Sequence, residues 1–311
     1  METVTLARNA MATRFELVLH GENAPRLRAA GEEALAEVDR LEARLSLYRP
    51  SSEIARVNTN AARQSVRVSP PVFALLRQAQ QLHRETGGVF DIAIAPLVRC
   101  WGFMDAGRRV PDADEIAAAR ACSGLHHVLL EEADYTVRFD QEGVMLDLGA
   151  IGKGFAIDRA AEILREDGVT SALLHGGTST VYGLGAPPDG EAWKVAITKA
   201  PEAPPICAAV FLRDSALSVS AVWARSFAAG GKQYGHVIDP RAGHPVNKSV
   251  LSAIGLPSAT ETDALSTALL VAGLDGYEAI AQLRPGTRAL VLAGSEENFR
   301  MLSQGIALAA W

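Results

Sequence analysis

The feature that most constrains the fold is a change of hydrophobic period that recurs along the chain. Residues Thr13 to His20 alternate around Phe15, Leu17 and Leu19, the two-residue repeat of a half-buried strand. From Ala24 to Leu45 the apolar residues fall instead at Leu27, Ala34, Val38, Leu41 and Leu45, with Glu and Arg between them. That is the repeat of a long amphipathic helix. A second helix is expected after Pro70-Pro71, carrying Val72, Leu75, Leu76, Ala79 and Leu82 on one face and stopping at Gly87-Gly88. The polar stretch from Ser46 to Asn58, interrupted by Pro50, reads as a loop.

Further on, a short helix is expected over residues 113–122 and strands over 127–131, 135–139 and 143–148. A helix opens out of the glycine-rich stretch Gly149–Gly154, runs to Asp167 and is closed by Gly168. Strands follow at 171–175, 193–198 and 207–213, then a loop, then a strand at 250–256. Helices are expected over 261–271 and 276–283, with a last strand from Arg288 to Ala293. Strands thus come in consecutive groups separated by short turns as well as between helices. That favours an α+β arrangement of antiparallel sheets over a regular βαβ series. The chain reads as one domain over 1–311; the Pro-, Gly- and Asp-containing stretch near 186–191 is either a boundary between two lobes or a surface loop.

Composition excludes several classes of function. With 48% hydrophobic and 21% charged residues the chain is globular, neither disordered nor fibrous. Its 30 Lys and Arg against 36 Asp and Glu give a net charge of -6, a poor match for neutralising a nucleic-acid backbone. Cys100, Cys122 and Cys207 form no CxxC, so they read as buried thiols in a reducing compartment rather than as metal ligands or a disulfide framework. No run of about 18 uninterrupted apolar residues marks a membrane span. The N-terminus has no basic segment followed by an apolar one, so a cytoplasmic location is expected.

The most informative chemistry lies in Asp147-Leu148-Gly149-Ala150-Ile151-Gly152-Lys153-Gly154. An apolar run delivers a carboxylate, glycines let the backbone approach a ligand, and a helix N-terminus with Lys153 supplies positive charge. The spacing is neither GxxxxGK[ST] nor GxGxxG. Two readings stand for it: a phosphate cradle, or a tight strand-to-helix turn. Asp263 and Thr267 lie four apart on one helix face, as two hard oxygen ligands for Mg²⁺ or as a cap and a back-bonded hydroxyl. His236 precedes the turn Asp239-Pro240-Arg241-Ala242-Gly243, either as a general base or as a structural histidine. Tyr48 in an irregular loop suits stacking on a flat ligand.

In series, these segments resemble the ApbE family of FAD:protein FMN transferases. The resemblance runs from Met11-Ala12-Thr13 through Tyr48, TGGVFD at 86–91, PLVRCWGF at 96–103 and DLGAIGKGFAIDRAAEIL at 147–164. It continues through YGHVIDPRAGHPV at 234–246 to TDALSTALLVAG at 262–273, nearly the whole chain. It implies a T-fold-like α+β architecture with the flavin in a cleft between two lobes. It also implies Mg²⁺-assisted cleavage of FAD, with transfer of FMN to a Thr or Ser hydroxyl of an acceptor flavoprotein and release of AMP. Carried over residue by residue, Asp263, Thr267 and the Ala150 carbonyl become metal ligands, and His236 becomes the base. Met11, Tyr48, Val89, Phe90, Asp91 and Val237 become contacts to the bound dinucleotide, with Asp147 and Lys153 at the nucleotide and pyrophosphate. The chain departs from the family pattern at Thr178 after Gly176-Gly177, at Val219 and Ala221 around Ser220, and at Ala242. Such departures leave FAD hydrolysis to FMN and AMP, or FAD binding without catalysis, as alternatives.

Overall fold

The computed structural model describes residues 1–104, 107–200, 203–223, 225–295 and 298–308. Its centre is an eight-stranded antiparallel sheet. The strands run, in spatial order, β1 (Glu2–Ala10), β2 (Thr13–Gly21), β6 (Ser171–Gly176), β7 (Thr180–Leu184), β10 (Ser215–Ala221), β15 (Ser249–Leu256), β16 (Arg288–Ser295) and β17 (Asn298–Gln304). Two three-stranded sheets flank it. One is β3 (Val66–Arg67), β5 (Thr136–Phe139) and β4 (Val128–Glu131); the other is β18 (Ala307–Leu308), β9 (Ala203–Leu212) and β8 (Trp193–Ala200). Short hairpins join β11 (Ser226–Ala229) to β12 (Lys232–Gly235) and β13 (Ile238–Asp239) to β14 (His244–Pro245).

The helices are α1 (Ala24–Leu45), α2 (Glu53–Asn60), α3 (Pro70–Glu85), α4 (Ala95–Cys100), α5 (Ala113–Ala121), α6 (Gly152–Glu166), α7 (Ala259–Ala272) and α8 (Tyr277–Ala281). Strand alternation sorts the two faces of the large sheet. Phe15, Leu17 and Leu19 join Leu35 and Val38 of α1, Ile157 of α6 and Leu265 of α7 in the main core. The opposite face packs Leu217, Leu251 and Leu290 against Trp193, Val210 and Leu212 of the β8–β9 hairpin. A third, smaller cluster gathers Leu97, Trp101, Ile116 and Ile238.

The α+β class with antiparallel sheets agrees with the sequence reading, and α1 matches its expected span, capped by Asn23. Elsewhere the structure corrects it. The loop expected over 46–58 contains the start of α2, whose first turn the Ser52 hydroxyl caps by accepting from the Ala55 N–H at 2.9 Å. The strand expected at 143–148 is absent, because Asn58 meets both polar groups of Leu146, at 2.7 and 2.9 Å, and takes the place of a neighbouring strand. The loop expected after residue 213 contains β10, an interior strand of the large sheet. Its serines look like surface positions in sequence, yet Ser218 and Ser220 point at α7 hydroxyls. Strands β1, β3, β7, β11, β14, β17 and β18 and helix α4 also have no counterpart in the sequence reading. Residues 186–191 belong to the loop between β7 and β8. Cys100 and Cys122 are half-buried free thiols rather than fully buried ones, and the Cys207 side chain lies outside the description. Among the described residues no helix is long and apolar enough to cross a membrane.

Candidate active site

The site is built where the starts of α6 and α7 meet. The segment leading into α6 is held by the Asp147 N–H, which donates to the Ile92 carbonyl at 2.7 Å, and by the Gly149 N–H, which donates to Asp147 Oδ1 at 2.8 Å. Helix α6 has no capping side chain of its own. Its Gly154 N–H donates instead to Asp263 Oδ2 of α7 at 3.0 Å, so a carboxylate from the neighbouring helix meets an amide that would lack an intrahelical partner. The relation is reciprocal. Asp158 of α6 accepts from the Ala259 and Thr260 N–H groups at 2.7 and 2.9 Å and from the Ser258 and Thr260 hydroxyls at 2.8 and 2.7 Å. Gly154 permits this approach: a Cβ there would overlap the Ala259 carbonyl oxygen and lie 2.8 Å from Asp263 Cβ.

Lys153 completes the junction. Its ammonium donates to the Gly149 carbonyl at 2.9 Å and lies 3.4 Å from Asp263 Oδ1, within the otherwise buried surroundings of that carboxylate. Thr267, one turn further along α7, donates to the Asp263 carbonyl at 3.3 Å and sits 3.3 Å from the Ser220 hydroxyl. Ser218–Thr262 and Ser220–Ser266 contacts of 2.8 and 2.9 Å continue this row of hydroxyls between β10 and α7. The row settles where the departure at Val219 points. Alternation turns Val219 away from α7 and onto the β8–β9 side of the sheet. Thr178 and Ala242 are exposed turn residues.

His236 follows β12 on a backbone strap. Its main-chain N–H donates to the Arg225 carbonyl at 2.9 Å, and its Nδ1 lies 3.2 Å from that same oxygen. A carbonyl can only accept, so Nδ1 carries the hydrogen and Nε2 keeps its lone pair. Burial pulls the imidazole down to about 4, and the charges of Arg225 and Lys153 add to this against the Arg225 carbonyl bond. The ring is neutral at pH 7.

Arg225 also acts on Tyr48 and Asp147. The Tyr48 phenol is raised above its ordinary value by partial burial and the Asp147 charge, with Arg225 opposing. Asp147 is raised by burial, against the Gly149 N–H and the charges of Lys153 and Arg225. Tyr48, 63% exposed, lines a cleft of 380 Å³ with Leu47, Asn58, Arg99 and Met145.

The other expected contacts are placed differently. Met11 lies on the β1–β2 turn in a left-handed conformation, φ 51°, with its N–H donated to Glu42. Val89 and Phe90 are buried in the main core. Asp91 is turned inward, accepting from the Ala93 N–H at 2.7 Å and the Leu125 N–H at 3.1 Å. It also lies 3.1 Å from His83, whose pKa this contact raises. Asp91 thereby braces the 91–93 backbone, whose Ile92 carbonyl accepts from the Asp147 N–H. Val237 is half-buried, and its carbonyl accepts from the Val246 N–H at 2.8 Å. Sequence reasoning missed Asp158, Arg225 and Glu42. Asp158 alone carried a signal, four residues after Gly154 inside the motif at 147–164.

The antiparallel α+β architecture that carries this junction is that of solved flavin transferases. It matches the flavinyl transferase ApbE of Pseudomonas stutzeri with a TM-score of 0.84 at 27% identity, over 97% of this chain and 94% of that one. It matches the ApbE protein of Thermotoga maritima with a TM-score of 0.88 at 25% identity, over 97% of both chains. The chain belongs to the ApbE family, whose sequence profile matches residues 11–291. A curated relative from Vibrio cholerae, named FAD:protein FMN transferase, is 30% identical over 273 residues, covering 85% of this chain and 80% of the relative. Another of the same name, from Treponema pallidum, is 32% identical over 285 residues, covering 86% and 78%.

Proposed function

We propose that this chain is a magnesium-dependent transferase that moves FMN from FAD onto a Thr or Ser hydroxyl of an acceptor flavoprotein and releases AMP. The observation that carries the reading is the junction of Gly149, Lys153 and Asp263 at the head of α6, beside a neutral His236. Family membership and the names of the curated relatives supply the flavin and the protein acceptor.

The donor set suits a hard cation. Asp263 offers a carboxylate, Thr267 a hydroxyl and Ala150 a carbonyl, all oxygen, and Mg²⁺ takes few protein ligands. The Asp263 carboxylate and Gly149 carbonyl already hold one cation, the Lys153 ammonium. When bound, Mg²⁺ would neutralise charge on the pyrophosphate. The chain's own groups do the rest. Lys153 and the start of α6 face the anion with positive charge and a short helix-end dipole. Asp147 orients the glycine turn through the Gly149 N–H. Tyr48 and the Met11 turn meet the dinucleotide, and the backbone around Val89, Phe90, Asp91 and Val237 shapes the walls.

His236 Nε2 takes the proton of the acceptor hydroxyl while that oxygen bonds to the phosphorus on the FMN side. The bond from that phosphorus to the oxygen of AMP breaks, and AMP departs with the electron pair. A neutral imidazole with a fixed tautomer is prepared for this before the substrate arrives.

Incubation of the full chain with FAD, Mg²⁺ and a Thr-bearing acceptor domain, followed by a denaturing gel, tests the reading. Fluorescent acceptor with one AMP per label is expected. AMP without label would make the protein an FAD pyrophosphatase, and FAD binding without AMP under any divalent metal would make it a binding module.

A further inference from the structure

Two of the expected dinucleotide contacts, Met11 and Tyr48, are far apart in sequence and lie on different elements. One residue links them, its side chain meeting Met11 and Arg49, the neighbour of Tyr48, and its carbonyl meeting the start of the Tyr48 loop. Glu42, in the last turns of α1, accepts from the Met11 N–H through Oε1 at 3.0 Å and pairs through Oε2 with Arg49 Nη2 at 2.6 Å. Its own carbonyl accepts from the Ser46 N–H at 3.0 Å, which ends the helix and starts the Tyr48 loop. The Ser46 hydroxyl then accepts from the Tyr48 N–H at 3.2 Å. The Glu42 side chain is only 20% exposed, whereas that of Arg49 is 51% exposed.

The Met11 turn needs such a hold. Met11 and Ala12 both adopt left-handed backbone conformations, φ 51° and 57°, with no glycine at either position. They are the two central residues of the β1–β2 hairpin, where such a turn calls for left-handed backbone, and for residues other than glycine that conformation persists only where the surroundings impose it. A partly buried carboxylate accepting from the first of these amides, and itself neutralised by an arginine, is such a surrounding. Arg8 on β1 adds a second tie, reaching Asp39 and Glu32 of α1 at 2.6 and 3.0 Å. Strand β1 is thereby fixed to α1, while Glu42 fixes the turn that follows it.

We propose that Glu42 is a positioning residue for the dinucleotide: it sets the Met11 turn and the Tyr48 loop against each other, so that two of the groups read as FAD contacts are in place before FAD binds. The proposal rests on the reading that Met11 and Tyr48 contact FAD. It assigns Glu42 no contact with the reacting atoms. Its effect therefore belongs in substrate affinity and not in the chemical step.

The test measures FAD affinity by flavin fluorescence quenching, together with kcat and KM for transfer, in the full chain. Glu42→Ala should weaken FAD binding about tenfold or more, as for loss of a charge-assisted hydrogen bond, with kcat within about threefold. Glu42→Gln keeps an oxygen for the Met11 N–H and loses the ion pair, so it should fall between Ala and the parent, and Arg49→Ala should resemble it. Because Glu42 acts through Tyr48 and Met11, Glu42→Ala combined with Tyr48→Ala should cost less than the sum of the two. Full additivity, or a loss confined to kcat, would overturn the proposal. So would unchanged affinity in Glu42→Ala. Failure of the parent chain to bind FAD would instead remove the functional reading itself, and that is seen before any variant is made.

Discussion

The floor of the site and its rim are built in opposite ways. The floor is two helix starts that cap one another through Asp158 and Asp263, packed so closely that Gly154 leaves no space for a methyl group. The groups proposed for the rim lie on loop and turn: the Tyr48 loop, the Met11 turn and the strap carrying Arg225 and His236, all partly or largely exposed. Rigid elements hold the groups proposed to meet the pyrophosphate, where errors of an ångström are costly. Loops hold the groups proposed to meet the flat rings and the incoming hydroxyl. Two of the three departures from the family pattern, Thr178 and Ala242, lie on exposed turns, and Val219 points to the far side of the sheet. The floor keeps its chemistry while the periphery differs.

That contrast can be broken by substitution, beginning at the floor. Asp263→Ala removes the carboxylate from Lys153 and from the Gly154 N–H and should abolish transfer in the gel assay; a variant with parental turnover and unchanged Mg²⁺ dependence would refute its role.

On the rim, His236→Ala should slow single-turnover transfer by about 10²–10⁴-fold while FAD affinity holds. Its pH profile sharpens the point. Protonation would disable the base, and the imidazole is held down to about 4, so the rate should stay level from pH 8 to pH 5 and decline only below that. A decline centred near 6.5 would mean that the ring titrates as an exposed histidine does.

Gly154→Ala should cost about 1–3 kcal/mol of stability, read by denaturant unfolding, because the two helices must separate to admit the new carbon. The smallest effect should come from Val219→Thr, which restores the hydroxyl usual in the family on the face away from α7. Transfer is expected to remain within about threefold of the parent, and a large gain in rate would show that Val219 does reach the site.

The sequence made much of this legible where period and chemistry agreed. Helix α1 could be placed to the residue because its apolar stripe and its polar face point one way. The Asp147–Gly154 turn and the Asp263–Thr267 pair stood out as chemistry, and the fold brings Lys153 and Asp263 within ion-pair distance. What stayed hidden depends on contacts across the fold. β10 places serines inside the molecule because α7 supplies hydroxyls to receive them, a pairing that no local pattern displays. Asp91 looked like a binding acid, yet it satisfies two backbone amides and His83. Glu42 was one acid among many along α1 until the β1–β2 turn was seen against it.

The mutual capping of α6 and α7 also bears on descent. Neither helix can drift alone: a change at Asp158 strands amides on one helix, a change at Asp263 strands one on the other, and a side chain at position 154 forces both apart. Across lineages these positions should therefore alter in concert or stay as they are, so that inheritance guards the junction for reasons of architecture as well as of turnover.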